Sequence, residues 1–167
     1  MAPPRSVVDL ANAADRDAAV RIGRAWVEMR RGASATALRD YLFGTDADAL
    51  DAGQMDTLDV LAQRSSWRMS ELAEALHVDP STATRAVQRL VKVELASRAA
   101  DSDDGRVVIV CATNAGRQLH KSIDRRRAYV ISRLMNAFTS QERTRLADLL
   151  TRFIHELKEV VNDLPTE

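Results

Sequence analysis

Pro80 constrains this chain more than any other residue, because apolar positions recur at helical spacing on both sides of it. Ahead of it, Leu72, Ala73 and Leu76 succeed one another at steps of three and four behind Ser70, a residue suited to cap a helix. The residue before a proline is steered away from helical angles, while proline itself fits the first turn of a new helix. His77, Val78 and Asp79 are therefore expected to form a tight turn, with a second helix beginning near Ser81.

That second helix has two faces of different chemistry. Ala83, Ala86, Val87, Leu90 and Val91 make an apolar stripe, whereas Ser81, Thr82, Thr84, Arg85, Gln88, Arg89 and Lys92 fall mainly outside it. No acid interrupts the run from Pro80 to Val93. Hydroxyls, an amide and exclusively positive charge suit phosphate oxygens and base edges in a DNA major groove. Ordinary solvated helix faces also carry arginines, so this run alone leaves both readings open.

The segment C-terminal to this helix narrows the choice. Leu95 to Ala99 and Arg106 to Cys111 read as short strands, the second holding the β-branched run Val107 to Val110, and Asp104-Gly105 between them is a strong hairpin signal. Two short helices and then a hairpin with Arg98 and Arg106 at its bases have the layout of a winged helix-turn-helix. Such a wing reaches the minor groove or the DNA backbone.

The blocks Met69 to Leu76, Asp79 to Leu90, Arg98, Asp104 to Arg106 and Thr113 to Arg117, in this order, resemble the MarR family (multiple antibiotic resistance regulators). The resemblance implies a homodimeric, sequence-reading transcriptional regulator, often a repressor released by a small aromatic or phenolic ligand. It implies double-stranded DNA with a palindromic operator as partner and a second copy of the chain as the other. Ser81, Thr82, Thr84, Arg85, Gln88 and Arg89 would approach the major groove, Arg85 as the base contact; Arg98, Asp104 and Arg106 would serve the wing, with Asp104 orienting Arg106 through a charge pair. Two departures stand out. Glu94 occupies the position where the family places a glycine, and a non-glycine residue in left-handed backbone costs about 1 kcal/mol, so the helix is expected to end differently. At the wing tip, Gly105 with acids nearby stands where an additional basic residue is usual, which weakens the grip on DNA or makes it more selective.

The expected fold is mainly α with a small β wing. Residues 1–50 read as an N-terminal helical dimerisation segment, 51–113 as the winged helix-turn-helix domain and 114–167 as a C-terminal helical dimerisation segment. Near the start, Val20, Ile22, Ala25, Trp26 and Met29 give a helical stripe, and Gly32-Ala33-Ser34 marks either a break between two helices or a kink in one. A further helix is expected from about Ala52 to Gln63. Thr113 can cap a long helix, and Thr139 to Glu142 open the last one, whose Leu146, Leu149, Leu150, Phe153, Ile154, Leu157, Val160, Val161 and Leu164 exceed what its own domain can cover. A second copy of the same surface would cover the remainder. Trp67 reads as core or inter-helix packing, or else with Tyr41 and Phe43 as the lining of a ligand pocket.

Charge and composition bound the rest. The 167 residues carry zero net charge, which is unusual for a DNA binder, but the charge is segregated. Asp40 to Asp59 is acidic with no positive partner in sequence, and Arg117 to Arg133 is basic apart from Asp124. The single Cys111 excludes an internal disulfide and reads as a small packed residue rather than a redox sensor. His77, His120 and His155 lie far apart, so no nucleophile, zinc set or phosphate loop emerges; we expect no enzyme, metal or cofactor. Without a membrane-spanning run or signal-peptide core, the chain is expected in the cytoplasm. The competing class is a helical interaction protein that keeps the winged-helix scaffold without sequence-specific DNA binding.

Overall fold

The computed structural model describes residues 7–45, 49–100 and 107–165. In chain order the elements are α1 (Ala13–Arg31), α2 (Ala33–Phe43), α3 (Ala52–Leu61), β1 (Trp67–Arg68), α4 (Met69–Leu76), α5 (Pro80–Lys92), β2 (Ala96–Ala100), β3 (Val108–Ala112), α6 (Asn114–Met135) and α7 (Ser140–Asn162). The protein is mainly helical with one three-stranded antiparallel sheet in the order β1-β3-β2. It divides into two compact units, Met1–Ile123 and Asp124–Glu167.

The first unit holds the buried core. Met55, Leu58 and Leu61 of α3, Leu72 of α4, Val87 and Leu90 of α5, and Val110 of β3 pack together with Trp67 and Ile123. Each fully buried side chain of this size contributes about 1.5 to 3 kcal/mol relative to exposure. The hairpin expected from the sequence is present, with Arg98 of β2 opposite Val110 of β3. β1 adds a strand that the sequence did not announce, pairing Trp67 with Val110 and Arg68 with Ile109. Two residues are too few to show a period of two.

Helix ends obey local chemistry. Asp51 caps α3, accepting from Gln54 N at 2.8 Å while Gln54 Oε1 accepts from Asp51 N at 3.0 Å. α4 begins two residues earlier than a Ser70 cap would require: Arg68 is the cap residue, and its N–H donates to Glu71 Oε2. The question at Gly32 is settled as a break, since Gly32 is extended between α1 and α2. A Cβ there would press to 2.6 Å on the Glu28 carbonyl oxygen. Neither α1 nor α2 buries a residue, and Ile22 and Met29 of α1 lie in solvent.

The second unit contains the end of α6 and all of α7. Arg143 Nε donates to the carbonyls of Met135 and Phe138, satisfying acceptors at the end of α6. Thr139 and Glu142 form the reciprocal cap of α7. Those hydrogen bonds from the Thr139 backbone and hydroxyl hold the Glu142 carboxyl below its ordinary value. No residue of α7 is buried.

Candidate nucleic-acid interface

The helix pair α4 and α5 is set by the turn at His77 to Asp79. His77 adopts left-handed backbone with φ 53°, closing α4 without a glycine. Pro80 then occupies the first turn of α5, and Asp79 caps it. Ala83, Ala86, Val87 and Leu90 are buried and fix the rotation of α5 about its axis. Ser81, Thr82, Arg85, Gln88, Arg89 and Lys92 are thereby turned outward, with Thr84 at the margin. Thr82, Arg85, Gln88, Arg89 and Lys92 border one shallow hollow open to solvent.

The hydroxyls on this face are already engaged. Ser81 Oγ donates to Asp79 Oδ1 and Thr82 Oγ1 to Asp79 Oδ2, both at 2.6 Å, and Thr84 Oγ1 donates to the Pro80 carbonyl at 2.7 Å. The Ser81 hydroxyl, then the Thr82 hydroxyl and the backbone of the first turn, hold the Asp79 carboxyl far below the ordinary carboxylate range. Their donors must leave these partners before they can serve a phosphate. Arg85 Nη2 donates to Ser81 Oγ at 3.2 Å, which aims its guanidinium along the helix toward the first turn. Donors directed outward thus come chiefly from the arginines, Gln88 and Lys92.

Arg89, expected from the sequence at the major groove, is paired within the chain. Its Nη1 lies 3.2 Å from Asp51 Oδ2, so the acidic stretch ahead of the winged helix does have a positive partner in space. A second member of that stretch, Asp59, is 3.2 Å from His120 Nε2. Sequence reasoning missed Asp51 and Asp79 as parts of the interface. The order Asp79-Pro80-Ser81-Thr82 does carry a capping signal that identifies Asp79; nothing local connects Asp51 to Arg89.

At the end of α5, Glu94 is left-handed, with φ 59°. The helix therefore ends as a glycine-terminated helix would, in spite of the side chain. Arg98 is exposed on β2. Asp104 and Arg106 lie outside the described residues, as does the wing tip they belong to. Trp67 is a core residue at 4% exposure, its ring 4.1 Å from the Arg64 guanidinium carbon and its Nε1 buried without a hydrogen-bond partner. Phe43 packs on the same core, while Tyr41 is 48% exposed.

The model of the MarR family matches residues 50–108, which run from the start of α3 through the wing. Over this segment the chain is similar to the MarR family. Members of this family are transcriptional regulators rather than enzymes. An uncharacterized HTH-type transcriptional regulator of Bacillus subtilis, YxaD, is 34% identical over 85 residues, 51% of this chain. The match spans 59% of that relative's length. Among solved structures, Streptococcus pneumoniae FabT in complex with DNA superposes with a TM-score of 0.73 at 20% identity, covering 84% of this chain and 97% of its own. The PcaV transcriptional regulator from Streptomyces coelicolor, solved with its natural ligand, gives a TM-score of 0.58 at 21% identity over 90% of this chain and 98% of its own. These likenesses show that the shared fold continues beyond the matched segment to the helices on either side of it.

Proposed function

We propose that two copies of this chain form a homodimer that reads a palindromic DNA operator with α5 and represses its own or neighbouring genes until a small ligand relieves it. The observation that carries this reading is the outward face of α5, on which Arg85, Gln88, Arg89 and Lys92 point to solvent with no acid in the helix itself and only Asp51 of the neighbouring α3 cap beside Arg89, above a buried stripe that fixes their direction. Arg85 is the base contact, Arg89 and Lys92 neutralise phosphate, and Arg98 and Arg106 reach the backbone from the wing. FabT, a structural neighbour, is a DNA binder of the same fold.

Dimerisation draws support from apolar surface. Leu149, Leu150, Phe153 and Ile154 of α7 and Val20, Ile22 and Trp26 of α1 are all more than a third exposed in the single chain. A twofold pair would cover them and set two copies of α5 about one duplex turn apart. Relief by a small ligand is supported by the family and by the ligand-bound PcaV neighbour. Of the three aromatic residues proposed to line its pocket, Tyr41 at the end of α2 is 48% exposed, whereas Phe43 and Trp67 are packed on or in the core. Among the described residues, no helix is long and apolar enough to cross a membrane.

The test is a mobility-shift titration with the region upstream of the protein's own gene, repeated across salt, beside sedimentation of the free protein. The expected result is a dimer whose affinity falls with salt at a slope of about −0.9 per phosphate contact. A monomer under native conditions, or no preference for the upstream region over scrambled duplex, overturns the proposal.

A further inference from the structure

We infer that Asp51 is a specificity-determining residue, which through its pair with Arg89 withholds a cation from indiscriminate phosphate contact. The inference rests on the DNA-binding reading of α5.

Asp51 is fixed independently of Arg89. Its Oδ1 accepts from Gln54 N at 2.8 Å, and its own N–H donates to Gln54 Oε1 at 3.0 Å, so the residue is anchored at the N-terminus of α3 at both ends. The other carboxylate oxygen is left to face Arg89 Nη1 at 3.2 Å. The two side chains are 49% and 53% exposed, and an ion pair that open adds little to folding stability. Its effect lies in where positive charge is available on the face of α5.

A guanidinium offers five donors in a fixed plane, and a bond to Asp51 restrains that plane while leaving other donors outward. Non-specific DNA binding depends on charge alone, and the carboxylate beside Arg89 cancels most of its charge beyond contact distance. A duplex held in one register by base contacts can instead bring a phosphate to the outward edge of the guanidinium, where geometry as well as charge is satisfied. Asp51 should therefore weaken binding to random sequence more than binding to the operator, and so widen the ratio between them.

Asp51→Asn tests this, because asparagine caps helices as well as aspartate and the substitution removes only the charge. Asp51→Ser, a second competent cap, guards against a fold effect peculiar to one variant. Both are titrated against the upstream region and a scrambled duplex, alone and in an Arg89→Ala background, with thermal melts confirming the fold. The expected result is an affinity for scrambled duplex raised by about two- to fivefold, the range of a half-exposed pair. The salt slope on that duplex should steepen by about 0.9 as one more cation meets phosphate. Operator affinity should rise less, and the steepening should vanish when Arg89 is alanine. An unchanged ratio, or the same steepening without Arg89, overturns the inference while leaving α5 as the DNA reader. Failure of the unaltered protein to bind either duplex would instead remove the DNA-binding reading beneath it.

Discussion

Helices α5 and α7 are both amphipathic, yet only α5 completes its burial within one chain. Ala83, Ala86, Val87 and Leu90 vanish into the core beneath it, while α7 buries none of its residues and leaves Leu150 50% exposed and Ile154 49% exposed. The sequence pattern is similar in the two; what differs is whether the same chain supplies the other half of the contact. The apolar face of α5 is buried within the chain, whereas that of α7 stays exposed in the single chain. Stability and assembly should therefore respond to different substitutions.

The largest effect is expected in the core. Leu90→Ala should cost about 2 to 5 kcal/mol of folding stability, read by denaturant unfolding, because it empties space beneath α5 that rigid neighbours cannot refill. A loss under about 1 kcal/mol would mean that α5 is not anchored as its burial implies. On the other side of the comparison, Leu150→Asp should weaken dimerisation by about 1.5 to 3 kcal/mol per chain and leave the melting of the winged helix nearly unchanged. Sedimentation that shows no change in association would place the partner surface elsewhere.

Arg85→Ala should lower operator affinity by about 1 to 3 kcal/mol and relax selectivity at one base pair, with folding untouched. Equal weakening on every sequence would reduce Arg85 to a backbone contact. Smallest of all, Glu94→Gly should stabilise the fold by up to about 1 kcal/mol, since it relieves left-handed backbone, less what glycine's freedom adds to the unfolded chain. Destabilisation would show that the Glu94 side chain contributes more than its backbone costs.

Much of the winged helix was legible because its signals are local. Pro80 marks a boundary wherever it stands, Asp-Gly marks a hairpin, and the stripe from Ala83 to Leu90 reports a buried face by its period alone. Other features are local but ambiguous. Gly32 is compatible with a kink or a break, and only the approach of the Glu28 carbonyl shows why no side chain would be tolerated there. Ser70 and Arg68 both precede an apolar run, and the placement of Glu71 favours the earlier cap. The strand at Trp67–Arg68 and the pair of Asp51 with Arg89 have no local trace, since each is created by chain segments that meet only after folding. The hydroxyls of α5 teach a related lesson. Their residue types fit phosphate, yet the side chains are spent on Asp79 and the Pro80 carbonyl, a competition visible only at the level of atoms.

Thr113 ties α6 to α5 through several bonds at once. Its hydroxyl donates to the Glu94 carbonyl at 2.7 Å and accepts from Gly116 N at 3.0 Å, its N–H donates to the Leu95 carbonyl at 3.1 Å, and Gly116 has no room for a Cβ beside Leu95. The opening turn of α6 is thereby riveted to the closing turn of α5. A lever arm cannot pivot at a rivet, so any swing of the long helix begins farther along it or carries α5 with it.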